Sequence, residues 1–239
     1  MTHRILVPFE LPDADPISPV LVQDLSGMEL VALGHFNLPE QTPPDAGRAQ
    51  FGEEVEAELD ELVAPFREAG TEVTTRLVFG KDRAQTIDRI AIEEGCDAEL
   101  DPAPTEDIER ILVPLVDTEN LDRLEDFVGS IMEENTWEVT LFHVAEQAFS
   151  ADEDPDRMES MLDGAREKMI DDGFDHDMVD VSVVVSENHD EEILTKADEY
   201  DAVVMGEADP DIRERIFGTL PDRIADRTGD PVIIVRRNI

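Results

Sequence analysis

A chain of 239 residues that is 41% hydrophobic can form two domains of ordinary size with packed cores, so its composition argues against a disordered protein. Its 60 acidic and 19 basic residues give a formal net charge of −41, which disfavours nucleic-acid binding because phosphates require a basic surface. The single cysteine excludes an intrachain disulfide, and no apolar run approaches the roughly 20 residues that span a membrane.

The two halves of the sequence repeat each other. RILVPF at residues 4–9 returns as RILVPL at 110–115, VALGHF at 31–36 returns as VTLFHV at 139–144, and CDAEL at 96–100 is matched by YDAVV at 200–204. This self-similarity predicts a duplicated domain, with residues 1–104 as the first copy and residues 108–239 as the second. Pro102, Pro104 and Thr105 mark the linker. The alignment also makes His35 and His143 equivalent strand residues, which we interpret as structural.

The first copy alternates predicted strands and helices. In chain order they are a strand at 4–9, a helix at 17–25, a strand at 29–36, a helix at 48–69, a strand at 72–79, a helix at 83–94 and a weak strand near Ala98. Three prolines predict a loop over residues 39–47. No further helix and strand follow, so the first copy is expected to be truncated and to serve packing.

The second copy has the same order and continues further. Strands are predicted at 110–116, 137–144, 179–185, 202–205 and 231–235, with helices at 120–134, 155–172, 190–199 and 211–227. Strands that alternate with helices form parallel sheets with right-handed crossovers. The predicted fold class is therefore α/β, with two Rossmann-like open parallel sheets in tandem, of which the N-terminal one is truncated.

Four segments of the second copy carry a family resemblance: ILVPLVD at 111–117, LFHV at 141–144, DAVVMGEAD at 201–209 and FGTLPDRIADRTGDPVIIVRR at 217–237. In this order and at these spacings the chain resembles the universal stress protein family, over essentially all of the second copy and most of the first. The resemblance implies tandem UspA-like domains of haloarchaeal type with an adenine nucleotide alpha hydrolase-like fold. It also implies a stress-response role without catalysis.

The loop after the fourth strand of the second copy is the main candidate site. Glycines let backbone N–H groups approach phosphate oxygens, and the N-terminus of the following helix favours an anion. In nucleotide-binding members of the family this loop has three glycines and then a serine or threonine. Gly206 matches the first glycine, and Gly218 and Thr219 match the final pair. Asp209 replaces the middle glycine, and the spacing is one residue shorter than the family pattern.

Two interpretations of this loop stay open. In the first, Arg213 and Arg215 bind the phosphates of ATP, together with Mg²⁺. In the second, Asp209 and Asp211 pair with those arginines, and the glycines serve only turns and packing. A carboxylate that faces a phosphate costs about 1 kcal/mol per close pair in water and several times more at a partly buried site. The local arginine cluster around the loop consists of Arg213, Arg215, Arg223, Arg227, Arg236 and Arg237.

Two further candidate residues follow the first two strands of the second copy. The resemblance implies that Asp117 lies near the ribose and base, and that backbone groups at Val144 hold the adenine. Alternatively, Asp117 caps a helix and Val144 is a core residue. In the first copy the counterpart of Asp117 is spread over Glu10, Asp13 and Asp15, and there is no phosphate loop. At most one nucleotide site is therefore expected per chain.

The sequence supports two main classes of function, neither of them an enzyme; a slow ATP hydrolase is a weaker third option, for which no residue that would orient the attacking water is identified. The first is a nucleotide-responsive regulator, and the second is a nucleotide-free interaction or dimerisation module that regulates a transporter or another partner. The histidines do not form metal-ligand spacings, so no metal site is expected. We expect a homodimer or an internal pseudo-dimer with an unidentified protein partner, and no association with nucleic acid or membrane. The charge, with three lysines against sixteen arginines, indicates the cytoplasm of a halophile, where salt screens the acidic surface.

Overall fold

The chain folds into two α/β units in the computed structural model, which describes residues 2–39, 42–115, 121–132, 135–145, 155–207 and 220–237. One unit covers Met1–Pro102 and the other covers Ala103–Arg237. Each unit contains strands that pair in parallel, so the predicted class of tandem Rossmann-like sheets is confirmed. Within the described ranges, no helix is long and apolar enough to cross a bilayer.

The N-terminal unit has four parallel strands in the order β3-β2-β1-β4. Its elements are β1 (Arg4–Leu11), α1 (Pro19–Asp24), β2 (Glu29–Asn37), α2 (Pro44–Glu68), β3 (Glu72–Gly80), α3 (Arg83–Glu94) and β4 (Ala98–Asp101). The side chains of Ser18 and Asp82 cap α1 and α3 by accepting backbone N–H groups of the first turn. Gly95 caps the C-terminus of α3, and its φ of 65° is the left-handed conformation that glycine adopts without strain.

The predicted loop over residues 39–47 was wrong at its C-terminal end, because α2 begins at Pro44 and not at Arg48. Proline fits the first turn of a helix, where its fixed φ is already helical and no N–H is needed. Gly47 then permits close packing, since a Cβ at this position would lie 2.5 Å from Cδ2 of Leu38. The prolines therefore mark the start of the helix instead of extending the loop.

The C-terminal unit has five parallel strands in the order β9-β8-β5-β6-β7. Its strands are β5 (Arg110–Leu115), β6 (Glu138–Ala145), β7 (Val179–Val185), β8 (Ala202–Gly206) and β9 (Val232–Val235). Its helices are α4 (Leu121–Met132), α5 (Pro155–Asp171), α6 (His189–Ala197) and α7 (Leu220–Thr228), with a short 3₁₀ turn at His176–Met178. The helix predicted over 211–227 is observed from Leu220 onwards, and residues 211–219 lie outside the described ranges.

The first two strands of each unit pair in registers that differ by one residue. The sequence repeat aligns Leu6 with Leu112 and Val31 with Val139. In the structure Leu6 pairs with Val31, whereas Val139 pairs with Ile111. The second strand of the C-terminal unit is therefore displaced by one position relative to the repeat.

This displacement puts aligned residues on opposite faces of their sheets. Leu33 packs with the α3 residues of the N-terminal core, while Val144 packs with the α6 residues of the C-terminal core. Because side chains alternate along a strand, His35 shares the α3 face with Leu33, and His143 lies on the face away from α6. The equivalence of His35 and His143 that the sequence repeat predicts is therefore wrong, and Val144 occupies the position that His35 has in the N-terminal unit.

Candidate functional site

The carboxyl ends of β5, β6 and β8 meet at one edge of the C-terminal sheet. β5 lies between β8 and β6, and ligands of open α/β sheets bind at this kind of switch point. The structure places two of the predicted site residues at this edge: Gly206 is the last residue of β8, and Val144 is the second-last residue of β6. The other predicted site residues lie outside the described residues, and their roles stay predictions: Asp117, Arg213, Arg215, Gly218 and Thr219.

The side chain of Val144 belongs to the core. It is 3% exposed and packs in the cluster that contains Ile193 and Leu194 of α6. The β5–β6 ladder ends with the pair Leu115–His143, one residue before Val144. A ligand at this edge would therefore meet the backbone of Val144 and not its side chain.

His143 fixes the end of β5 beside this edge. Its ring is buried, and Nδ1 lies 2.7 Å from the carbonyl oxygen of Leu115, so the Nδ1–H tautomer donates a hydrogen bond to that oxygen. Leu115 is the last residue of β5, and the chain continues from it towards Asp117. The sequence repeat predicts a structural role for His143, and only the pairing of β5 with β6 reveals this positioning contact.

An acidic residue and two arginines occupy the exit of β8. The backbone N–H of Glu207 donates to the carbonyl oxygen of Val235 at 2.7 Å. The backbone N–H of Arg237 donates to Oε2 of Glu207 at 3.1 Å, and its Nε–H donates to the Glu207 carbonyl at 3.0 Å. Nη2 of Arg236 lies 3.7 Å from Oε1 of Glu207. These contacts place a carboxylate and two arginines next to Gly206 in the structure.

The two other described members of the arginine cluster also contact carboxylates. Arg223 pairs with Asp190. Nη2 of Arg227 lies 2.7 Å from Oδ2 of Asp198, and its Nη1 lies 3.2 Å from Oε1 of Glu191. Carboxylates therefore face the guanidinium groups of three of the four described arginines of the cluster, Arg223, Arg227 and Arg236, which reduces the positive charge that they offer to a phosphate.

The corresponding edge of the N-terminal sheet contains a cavity of about 530 Å³. Its charged and amide-bearing lining residues are Glu10, Asp13, Asp15, Asn37, Arg83 and Asp101. The structure thus gathers Glu10, Asp13 and Asp15, the acidic residues that follow β1 in the sequence. Asp13 has a φ of 68°, in the left-handed region. Four carboxylates against a single arginine give this cavity an electrostatic character that disfavours phosphate groups.

His35 lies on the same face of β2 as Asn37 and is 1% exposed. Within the described part of the chain, neither of its ring nitrogens has a hydrogen-bond partner. Burial is the main cause that lowers the pKa of His35, the Arg83 guanidinium adds to it, and Glu10 and Asp82 act in the opposite direction. His35 is therefore held as a neutral imidazole near neutral pH.

Metal binding finds no structural support in the ranges that the structure describes. No group of three or more His, Cys, Asp or Glu residues there has a geometry suited to a metal ion.

Comparisons with known proteins agree with this fold. The family model described as "Universal stress protein family" matches residues 107–236. A solved universal stress protein from Archaeoglobus fulgidus is 17% identical and has a TM-score of 0.65, with 98% of this chain and 96% of that chain covered. A putative universal stress protein from Pseudomonas aeruginosa is 15% identical and has a TM-score of 0.58, with 98% and 93% covered. No curated protein matches this chain by sequence.

Proposed function

Because the chain belongs to the universal stress protein family, we propose that it is a non-catalytic regulatory module of the stress response, with one degenerate ATP-type site in the C-terminal copy. The site would use the backbone at Val144 and Gly206 together with Asp117, Gly218 and Thr219. Arg213 and Arg215 would supply charge for the phosphates, with Mg²⁺ if it accompanies the nucleotide. Binding would change the packing of the module and thereby its choice of partner.

The engagement of the arginine cluster by carboxylates is the observation that makes the proposed site degenerate. The guanidinium groups of Arg223, Arg227 and Arg236 each lie against a carboxylate, and Nε–H of Arg237 donates to the Glu207 carbonyl. Charge-assisted bonds to a carboxylate and to a phosphate use the same N–H groups, so a nucleotide must compete for the first three. We therefore expect weak binding, which suits a sensor of nucleotide abundance better than a tightly loaded enzyme.

The proposal of a non-catalytic role rests on the same edge of the sheet. In the parts of β5, β6 and β8 that the structure describes, we identify no nucleophile beside a base and no side chain positioned to activate water. His143 donates to Leu115 and serves to hold the strand end. A nucleotide bound here is expected to leave intact.

Calorimetry with ATP and Mg²⁺ in molar KCl tests this function. We expect a weak, saturable signal from the wild-type chain and its loss in Gly218→Asp, because an added carboxylate would face the phosphates. Gly164→Asp is the matched control, since Gly164 lies in α5 and an added Cβ there meets nothing within 4 Å. Recovered nucleotide should be ATP without ADP. Steady ATP hydrolysis that Gly218→Asp abolishes would contradict the non-catalytic role.

A nucleotide-free interaction or dimerisation module, regulating a transporter or another partner, is the second candidate. The same carboxylate-bound arginines favour it, because they leave little charge for phosphate at the described edge. No saturable signal at millimolar ATP would select this alternative. We also propose a cytoplasmic, halophilic setting and a homodimer or internal pseudo-dimer. Light scattering in molar KCl separates these two assemblies, since only the homodimer has twice the mass of the chain.

A further inference from the structure

We infer that Glu207 sets the anion affinity of the C-terminal copy by holding Arg236 and Arg237 in a latch at the exit of β8. The inference rests on the nucleotide site proposed above and identifies the residue that weakens it. Glu207 immediately follows Gly206, the residue that matches the first glycine of the phosphate loop. It therefore stands where the chain leaves the sheet towards the loop.

Every polar part of Glu207 has a partner at the end of β9 or in the two residues that follow it. Its backbone N–H donates to the Val235 carbonyl at 2.7 Å, and its carbonyl accepts the Nε–H of Arg237 at 3.0 Å. Its carboxylate accepts the backbone N–H of Arg237 at 3.1 Å and lies 3.7 Å from Nη2 of Arg236. The Glu207 N–H therefore points to the carbonyl of the last β9 residue, and the carboxylate binds the two residues that follow β9.

The latch is shielded from water. The side chain of Arg236 is 6% exposed and that of Glu207 is 13% exposed. Attraction between opposite charges is stronger in such surroundings than at an open surface, and salt screens it less. The latch is therefore expected to persist in molar salt, where the exposed pairs of Arg223 and Arg227 weaken.

The latch opposes a phosphate in two ways. Its carboxylate places a fixed negative charge next to Gly206 and attracts the Arg236 guanidinium, and the Glu207 carbonyl occupies Nε–H of Arg237. A ligand phosphate that used these guanidinium groups would have to compete with the Glu207 carboxylate for Arg236 and with the Glu207 carbonyl for Arg237. An adenosine without phosphates would meet neither effect, so its affinity should not depend on Glu207.

Glu207→Gln is the sharpest test. Glutamine keeps the shape and an amide oxygen that can accept the Arg237 N–H, but it lacks the charge that holds Arg236. We expect the dissociation constant of Mg²⁺-ATP in molar KCl to fall about tenfold, the change expected from removing one close carboxylate at a partly buried site. Adenosine, titrated in parallel, should show no change. If Glu207→Gln fails to fold by circular dichroism, Glu207→Ala repeats the test with the carboxylate removed.

Glu199→Gln is the matched control because it makes the same change of net charge in the same unit. Glu199 is 60% exposed and pairs with Lys196, and we expect its ATP affinity to equal that of the wild type. Tighter ATP binding in Glu207→Gln alone supports the latch. This holds even if the wild type binds no ATP, although the absence of binding in the wild type would overturn nucleotide binding by the natural chain. Equal or weaker binding in Glu207→Gln, or an equal gain in Glu199→Gln, overturns the latch and leaves the proposed function standing. No ATP binding by any variant overturns both.

Discussion

The two copies each place a histidine near the end of their second strand, yet the two rings have opposite environments. His143 donates a hydrogen bond to Leu115, whereas His35 is buried with no ring partner within the described residues. The sequence repeat aligns them, but the strand registers differ by one residue, so they face opposite sides of their sheets. The repeated motif therefore preserves the order of the strands, but aligned residues of the two copies can lie on opposite faces of their sheets.

Substitutions at Gly34 provide the strongest test that aligned residues of β2 and β6 lie on opposite faces of their sheets. The repeat aligns it with Phe142, which packs in the α6 core of the C-terminal unit. In the N-terminal unit a Cβ on Gly34 would lie 2.7 Å from Leu11 Cδ1 and 3.1 Å from Leu59 Cδ2. We expect Gly34→Ala to lower the free energy of unfolding by about 1–3 kcal/mol through overpacking, and Gly34→Phe to prevent folding of this unit. Urea unfolding in molar KCl measures the first effect, and circular dichroism measures the second.

Gly52 is the control for this prediction. It lies inside α2, where an added Cβ would meet only Arg48 Cγ at an ordinary 3.5 Å. Gly52→Ala should therefore raise the free energy of unfolding by roughly 0.5–1 kcal/mol, because alanine has the better helix propensity. A stable, folded Gly34→Phe protein would show that Gly34 of β2 and Phe142 of β6 lie on the same face of their sheets.

Local signals explain which elements the sequence predicted well. The bounds of α3 and β7 match their predictions, because Asp82 and Gly95 mark the ends of α3, and β7 is a run rich in β-branched valine. The start of α2 was missed because Pro44 is compatible with both a loop and a first helical turn. The register of β6 could not be predicted, since both registers keep apolar residues inside the sheet, and long-range packing against α6 decides between them.

The candidate site was predictable only in part, for a related reason. Gly206 carries a local signature, and the order of elements placed it at a strand end. The contact of Glu207 with Arg236 depends on the pairing of β8 with β9, and the contact of Arg227 with Asp198 depends on the packing of α7 near α6. Sequence shows an arginine cluster and many acids, but it does not show which acid each arginine meets.

Replacing His143 should lower the stability of the protein, whereas replacing His35 should raise it. His143→Leu leaves the Leu115 carbonyl without its buried donor, and we expect a loss of about 1–2 kcal/mol in the free energy of unfolding. His35→Leu removes two buried ring nitrogens that have no hydrogen-bond partner among the residues the structure describes, and we expect a gain of about 1 kcal/mol near neutral pH. Each variant is the control of the other in urea unfolding. A loss of similar size in both would mean that His35 makes a stabilising contact like that of His143.

The pH dependence of His35 sharpens the same comparison. Burial, followed by Arg83, lowers its pKa in the folded state, so the unfolded chain binds the proton more readily. Stability from this group is complete above the unfolded pKa of about 6.5 and is lost as the pH falls towards the lower folded pKa. The advantage of His35→Leu over the wild type should therefore grow as the pH falls from 7.5 to 5. An advantage that stays constant over this range would show that the folded ring takes up its proton at the ordinary pKa.

Asp230 in the C-terminal unit is comparable to His35 because burial shifts its pKa, but the pKa of Asp230 is raised and that of His35 is lowered. Burial is the main cause that raises its pKa, Asp201 and Asp198 add to it, and the hydrogen bond with Thr228 opposes it. The folded state therefore holds this proton more tightly than the unfolded chain does. The stability from Asp230 is complete below the unfolded pKa and is lost as the pH rises through the raised folded value.

We expect Asp230→Asn to stabilise the protein near neutral pH by less than about 0.5 kcal/mol, since the site is partly solvated, and to lose that advantage near pH 4. Exposed Asp226 in α7 supplies the matched Asp→Asn control, and equal shifts in the two variants would mean that the effect comes from net charge and not from burial.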